Sequence, residues 1–339
     1  MKNRSTITPT AVLALLAIFA VLPLSARGTE DVTGEVSVAV QAPTTIRFVT
    51  PGGFSAITLA EFIAESPEFD GNVRVEYEVL ESSDLLAGRI LSGQADMFIA
   101  PTNLGSTLYA KGEDIVMAGS VIWGILYLVT TEGLSDWEDL RGREIFLFGR
   151  GLTPDIVFRY LLETHGLNPG SDITLSYIQN TAELGPALIA GRAPIAMLPE
   201  PVLSVVLTKA PDAEIMIDIQ KEWAAASGTG SSYPQASLFV QRSVAREHPE
   251  FLSSFLARYQ ASIQRIVADP DKAGEWAASF LPSPPAPIIA RSIPGGNLKW
   301  VSARNARSDV EEYLEVLMGY DPKTIGGSLP DDGFYLSSP

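Results

Sequence analysis

The chain has 339 residues, enough to bury a large core and ordinarily enough for two domains. Its 40 acidic residues against 24 basic ones give a formal charge of −16, which argues against nucleic acid or an anionic membrane surface as partner. Cys is absent, which excludes disulfides, thiolate metal sites and a Cys nucleophile, and only His165 and His248 are available for imidazole chemistry.

Lys2 and Arg4 precede an apolar run over residues 11–24 (AVLALLAIFAVLPL). That run has signal-peptide length and falls short of the about 20 residues a spanning helix needs. Small residues at Ser25 and Ala26 suit cleavage near Ala26 or Gly28. Residues 1–26 are read as an export signal, which places the protein in the periplasm or another extracytoplasmic space. Left uncleaved, the signal would tether it to the membrane. Residues 27–45 are polar and β-branched without clear periodicity and read as a tether.

From residue 46 the pattern alternates between strand and helix. Residues 46–50 (IRFVT) form a short apolar strand ending in Pro51, Gly52 and Gly53, after which helical spacing takes over. Residues 73–80 (VRVEYEVL) alternate as a half-buried strand, and Ser82, Ser83 and Asp84 signal the start of a helix that ends at Gly93. Residues 97–100 are a buried strand and 103–111 a helix. Residues 115–129 are broken by Gly119 and Gly124 and read as strand, bend, strand. The order then repeats. A strand over 144–148 ends in Gly149, Arg150 and Gly151, and Thr153, Pro154 and Asp155 open a helix with a hydroxyl, a Pro and an acid in its first turn. Strands follow at 173–177, 195–198, 214–219 and 238–241, with helices at 182–190 and 202–209. Residues 228–232 (GTGSS) look the most flexible, 249–268 carry the longest helical pattern, and 310–317 the last good one. Such alternation implies βαβ units and a mainly parallel sheet.

One stretch occurs twice. GQADMFIAP at 93–101 returns as GRAPIAMLP at 191–199, and the same offset pairs Ser106 with Ser204, Lys111 with Lys209, Asp114 with Asp212 and Phe48 with Phe146. A single echo of this length suggests two similar α/β lobes. Equivalent loops would then face each other.

Ligands of open α/β sheets bind beyond the carboxyl ends of the strands. Here those ends supply Pro51, Gly52, Gly53 and Phe54, then Pro101, Thr102 and Asn103, then Gly149, Arg150, Gly151 and Thr153, and finally Glu200 between two prolines. Gly149, Arg150 and Gly151 open into a helix whose free N–H groups favour an anion, with Arg150 adding charge, although Asp155 nearby opposes it. Trp123, Tyr127, Phe54 and Tyr233, with Trp223, could line a flat apolar pocket for a ring. Glu200 could accept hydrogen bonds from an amine or ring N–H. The expected ligand is a small molecule with a flat or apolar body and a polar or anionic end. No GxSxG, HExxH or paired His/Asp arrangement marks an enzyme, and no cluster has metal-ligand spacing, so neither cofactor nor metal is expected.

Taken together, the exported α/β chain, IRFVTPGGF, GQADMFIAPTNLGSTLYAKG, IWGILYLVT and MLPEPVL resemble ABC-transporter substrate-binding proteins. The likeness is to the nitrate/sulfonate/taurine and thiamine-precursor (pyrimidine synthase-like) branch of the type II periplasmic binding proteins. It spans roughly residues 46–336. The resemblance implies a two-lobed periplasmic-binding-protein type II fold with a ligand cleft between the lobes. Lobe I would comprise 46–127 and 234–339, and lobe II 128–233, with crossings at 127–131 and 219–233. It further implies a solute-binding component of an importer, with a small-molecule ligand and an ABC-transporter permease as partners, acting as a monomer. The Cys-rich motif of pyrimidine-synthase relatives is absent. An enzyme on this fold acting on a small aromatic metabolite is the alternative, and the export signal argues against it.

Overall fold

The computed structural model describes residues 43–69, 72–81, 83–179 and 181–337. The export signal, and all but the last three residues of the tether, lie outside the described residues. Chain order begins β1 (Thr44–Pro51), α1 (Phe54–Ile57), α2 (Ala60–Glu65), β2 (Val73–Leu80), α3 (Ser83–Leu91), β3 (Met97–Pro101), α4 (Thr102–Ala110) and β4 (Ile115–Ile122). Residues 123–125 lead to β5 (Leu126–Thr130), β6 (Glu144–Leu147), α5 (Thr153–Thr164), β7 (Thr174–Tyr177), α6 (Thr181–Ile189), β8 (Ile195–Pro199), α7 (Val202–Lys209), β9 (Glu214–Asp218) and α8 (Ile219–Ala226). Residues 227–235 return the chain to β10 (Ala236–Gln241), α9 (Arg242–Glu247), α10 (Pro249–Ala268), α11 (Pro270–Ala278), α12 (Ala286–Ser292), β11 (Leu298–Ser302) and α13 (Ala303–Tyr320).

Two sheets result, a six-stranded one of order β11-β4-β10-β3-β1-β2 and a five-stranded one of order β7-β6-β8-β5-β9. Within them β1 pairs in parallel with β2 and β3, and β6 with β7 and β8. The strand that follows each crossing inserts antiparallel, β10 between β3 and β4, and β5 between β8 and β9. The sheets are therefore mixed, which corrects the expectation of mainly parallel ones. The cause is topological. β4 runs towards the second sheet and β10 comes back from it, so neighbours at the crossing must oppose each other.

The echo is a structural repeat. α3 and α6, and β3 and β8, occupy the same positions at the same offset in the two halves. The first crossing lies at residues 123–125 rather than 127–131, because Tyr127–Thr130 pair with both β8 and β9. α8 was not expected. The Asp218 carboxylate accepts the Lys221 N–H and starts that helix inside the second crossing. β11, too short to show periodicity, adds an edge beyond β4.

Core formation follows burial on both faces of the first sheet. On one, Phe48 and Phe62 meet Phe255 of α10 at ring distances of 5.7 and 5.1 Å. On the other, Phe98 stacks on Phe239 at 5.4 Å beneath α13. This second cluster continues into the five-stranded sheet through Trp123, Trp223, Tyr233 and Tyr313, so one apolar core runs past the crossings. Each fully buried aromatic of this size contributes roughly 1.5–3 kcal/mol against exposure. No helix among the described residues is long and apolar enough to cross a membrane.

Candidate functional site

Both crossings are tied into one polar lattice. The Ile122 carbonyl accepts from Gln235 N–H at 2.9 Å, Trp123 N–H donates to Asn297 O at 3.2 Å, and Ser232 Oγ donates to Trp123 O at 2.8 Å. Gly124 O accepts from Asn297 Nδ2, Ile125 N–H donates to Gln235 Oε1, and Leu126 N–H donates to Gln220 Oε1. Every one of these groups would cost about 1–3 kcal/mol if buried unpaired. The echoed residues Thr102 and Glu200 complete the pattern. Thr102 N–H donates to Gln235 O at 3.0 Å and Glu200 N–H to Ile125 O at 3.0 Å, one residue from each repeat against each crossing.

The first-sheet loops lie around this lattice. Pro51 ends β1 and is buried, and Gly52 N–H donates to Leu80 O at 2.7 Å. Gly53 is exposed, while Phe54 is buried with its ring against Gly296. Pro101 ends β3 and pairs with Ala236. Thr102 is fully buried, its hydroxyl 2.8 Å from Ser237 Oγ, and Asn103 turns its amide to Thr324 O at 3.1 Å.

In the second half, Gly149 and Gly151 both have positive φ, which turns the chain sharply from β6 into α5. The Asp155 carboxylate occupies the turn, with Oδ2 accepting Gly151 N–H at 2.8 Å and Oδ1 accepting Arg159 Nε and Tyr177 OH, each at 2.7 Å. Arg150 is exposed and lies 5.2 Å from the centre of the Tyr177 ring. Thr153 is buried, its hydroxyl 3.0 Å from Tyr313 OH on α13, so the start of α5 touches the first-sheet side.

Glu200, Tyr127 and residues 294–297 converge at a third place. Glu200 is 5% exposed, with Oε2 accepting Ser204 N–H at 3.1 Å and Oε1 accepting Ser204 Oγ at 3.0 Å. Burial raises its carboxyl to about 7 against the pull of those two bonds. Tyr127 OH donates to Gly295 O at 2.8 Å, and burial, then Asp218, push its phenol up to about 12. A Cβ on Gly295 would lie 2.8 Å from Glu200 Oε1. The Pro294–Gly296 turn therefore fits directly against both side chains.

Trp123 is 7% exposed, and its Nε1 donates to Lys299 O at 2.8 Å. It lines a cavity of about 520 Å3 with Ser231, Ser232, Asn297, Lys299 and Asp309, beside the crossings. Tyr233 is wholly buried, stacked on Tyr313 and bonded to Gln220 Oε1, and Trp223 is core beside it. Phe54, Tyr127, Glu200 and the Gly295–Gly296 pair are thus brought together, with Trp123 joined to them through Asn297 and Tyr233 through Gln220, whereas Arg150 lies apart. Residues 228–232 are pinned rather than loose, since Glu312 accepts the Gly228 and Thr229 N–H groups. Gly295, Gly296, Asn297, Gln220 and Gln235 escaped sequence reasoning. Pro294-Gly295-Gly296 was the available signal.

A second cavity, also about 520 Å3, opens between α6, α7 and residues 283–288. Pro186, Ile189, Pro201, Val202, Pro285 and Ile288 give it an apolar lining. It adjoins Glu200 and has walls from both sides of the crossing. Among the described residues no group of three His, Asp or Glu side chains is placed to hold a metal ion.

The family described as NMT1/THI5 like matches residues 71–273. No curated protein matches the chain in sequence. Among solved structures, an ABC transporter from Parabacteroides distasonis is similar at 28% identity and a TM-score of 0.76, over 87% of this chain and 99% of that one. The periplasmic aliphatic sulphonate binding protein SsuA from Escherichia coli is similar at 15% identity and a TM-score of 0.67, over 88% and 93% of the two chains. The ligand binding component of an ABC-type import system from Staphylococcus aureus, with zinc bound, is similar at 13% identity and a TM-score of 0.67, over 86% and 96%. The latter two show the fold, which is the two-lobed α/β arrangement that the sequence resemblance implied.

Proposed function

The chain belongs to the NMT1/THI5 like family, and on that premise we propose that it is the extracytoplasmic solute-binding component of an ABC importer. Divided at the crossings, the lobes are residues 46–122 with 236–339, and 126–226, close to the 127/128 and 233/234 boundaries expected from the sequence. The observation that carries this reading is the reciprocal exchange of strands. Among the described residues the chain passes between the sheets only twice, and each sheet takes in the strand that follows a crossing. Two lobes joined that way can hinge about a solute held between their strand-end loops.

The loops at 51–54, 101–103, 149–153 and 199–201 supply the walls of that site. The apolar cavity beside Pro201 lies within the usual 300–1,000 Å3 range of small-molecule pockets, which supports a small organic solute, heteroaromatic or sulfonate-like. The partner is a membrane permease that receives the solute, and the binding component works as a monomer. Calorimetry with heteroaromatic amines, pyrimidines, alkanesulfonates, taurine and nitrate tests the reading. One-to-one binding with the solute recovered unchanged is expected. Chemical conversion of the bound solute would assign the fold an enzymatic role instead.

A further inference from the structure

We infer that the lobes part on one flank only, between α7 and α12, and that residues 283–297 act there as a latch holding the cleft closed. The inference rests on the solute-binding reading above and deepens it.

Packing on the two sides of the crossings is unequal. On the α13 side one buried apolar cluster spans both lobes, joining Phe98 and Phe239 of the first to Phe158 and Leu161 of the second. Tyr313 of α13 belongs to it, with its ring 6.0 Å from that of Trp223 and 5.8 Å from that of Tyr233. Its hydroxyl lies 3.0 Å from Thr153 Oγ1 at the start of α5. Parting the lobes here would return this surface to water, at a cost proportional to the apolar area exposed. α13 also pins the second crossing, since Glu312 accepts the Gly228 and Thr229 N–H groups. This flank is the fixed one.

On the opposite side the described residues form separate cores. The cluster around Phe62 and Phe255 lies wholly within the first lobe, and the one around Leu188 and Leu203 wholly within the second. They are bridged by α12 and the turn after it, packed along α7. Two hydrogen bonds mark the ends of that contact. Arg291 Nη1 donates to Thr208 Oγ1 at 2.7 Å near the end of α7, both residues being exposed, and Tyr127 OH donates to Gly295 O at 2.8 Å beside Glu200. Pro285 and Ile288 of the first lobe share the walls of the 520 Å3 cavity with Val202 and Val205 of the second. Exposed hydrogen bonds exchange for bonds to water at little net cost, so this flank opens without breaking a core. α12 moves with α11, because Gly274 lies so close to Ala286 that a Cβ there would stand 2.5 Å from its carbonyl oxygen. Solute therefore enters past α12 and Pro201, about a hinge that keeps its α13 side intact.

The chain has no Cys, so introduced pairs carry spin labels without background. Lys209→Cys with Glu275→Cys spans the latch flank, and Thr164→Cys with Glu315→Cys spans the α13 flank, all four positions being exposed. Each label distance is measured in the otherwise unchanged chain, with Arg291→Ala, and with Arg291→Ala plus Tyr127→Phe. Loss of the latch should shift the first distance to longer values and broaden it, while the second stays fixed. Arg291→Ala alone is a surface change and keeps the test open should the double variant fail to fold. A shift of both distances, or of neither in a folded variant, would overturn the inference. A solute from the panel that binds by calorimetry should return the first distance of the Arg291→Ala chain to its shorter value. Binding that leaves this distance long would overturn the latch while the solute-binding reading stands. Distances that shift as expected in a chain that binds none of the panel and co-purifies with no solute would uphold the latch and strike the solute-binding reading instead.

Discussion

Gly296 has the ring of Phe54 where a side chain would stand, since a Cβ there would lie 1.8 Å from Phe54 Cζ. Gly296→Ala should therefore cost at least about 1–3 kcal/mol in urea unfolding, the range for overpacking, and should displace the loop at 51–54. At Glu200 the effect is electrostatic. Burial lifts the carboxyl from its ordinary 4.5 to about 7, so between those values the folded chain holds a proton that the unfolded chain has released. Stability should fall as pH rises through that window and level off above it, by roughly 3 kcal/mol in all. Glu200→Gln should flatten that slope in thermal unfolding from pH 4.5 to 8, and an unchanged slope would refute the assignment. The sequence marked Glu200 through its flanking prolines. It did not show the burial, because the same pattern suits a solvated loop. Gly295 and Gly296 passed as a turn, since their partners Tyr127, Glu200 and Phe54 are distant in the chain.

Elements carry the lattice of the crossings. Gly124 has φ 81°, and a Cβ on it would lie 2.4 Å from Gln220 Cγ, so both its conformation and its space favour glycine. Gly124→Ala should destabilise the chain by more than a surface change, about 1–3 kcal/mol, through strain and through displacement of the Gln220 side chain that holds Leu126 N–H. Glu312→Ala should release residues 228–232, read as faster amide exchange at Gly228 and Thr229 with little change elsewhere. The repeated units were legible because each is a local pattern of helix, Gly turn, apolar strand and Pro-marked loop. α8 and β11 were not. Ile219–Ala226 depends on a cap by Asp218 within an expected connection, and Leu298–Ser302 becomes a strand only because β4 offers it an edge.

The whole molecule is two halves of one plan, exchanging strands across two crossings. Alternating strands and helices with an internal echo were enough to read two α/β lobes. The antiparallel insertion of β5 and β10 was not readable, because strand order is settled by contacts between segments far apart in sequence. Hinging should make the scattering radius fall when a solute binds, unless the lobes already stand closed around it. The most direct check of the account is native mass spectrometry of the chain purified, without denaturation, from cells that make it. The account predicts one small organic molecule per chain, released unaltered on unfolding. A chain uniformly free of solute that also binds none of the panel, or a bound molecule that changes mass on incubation, would contradict it.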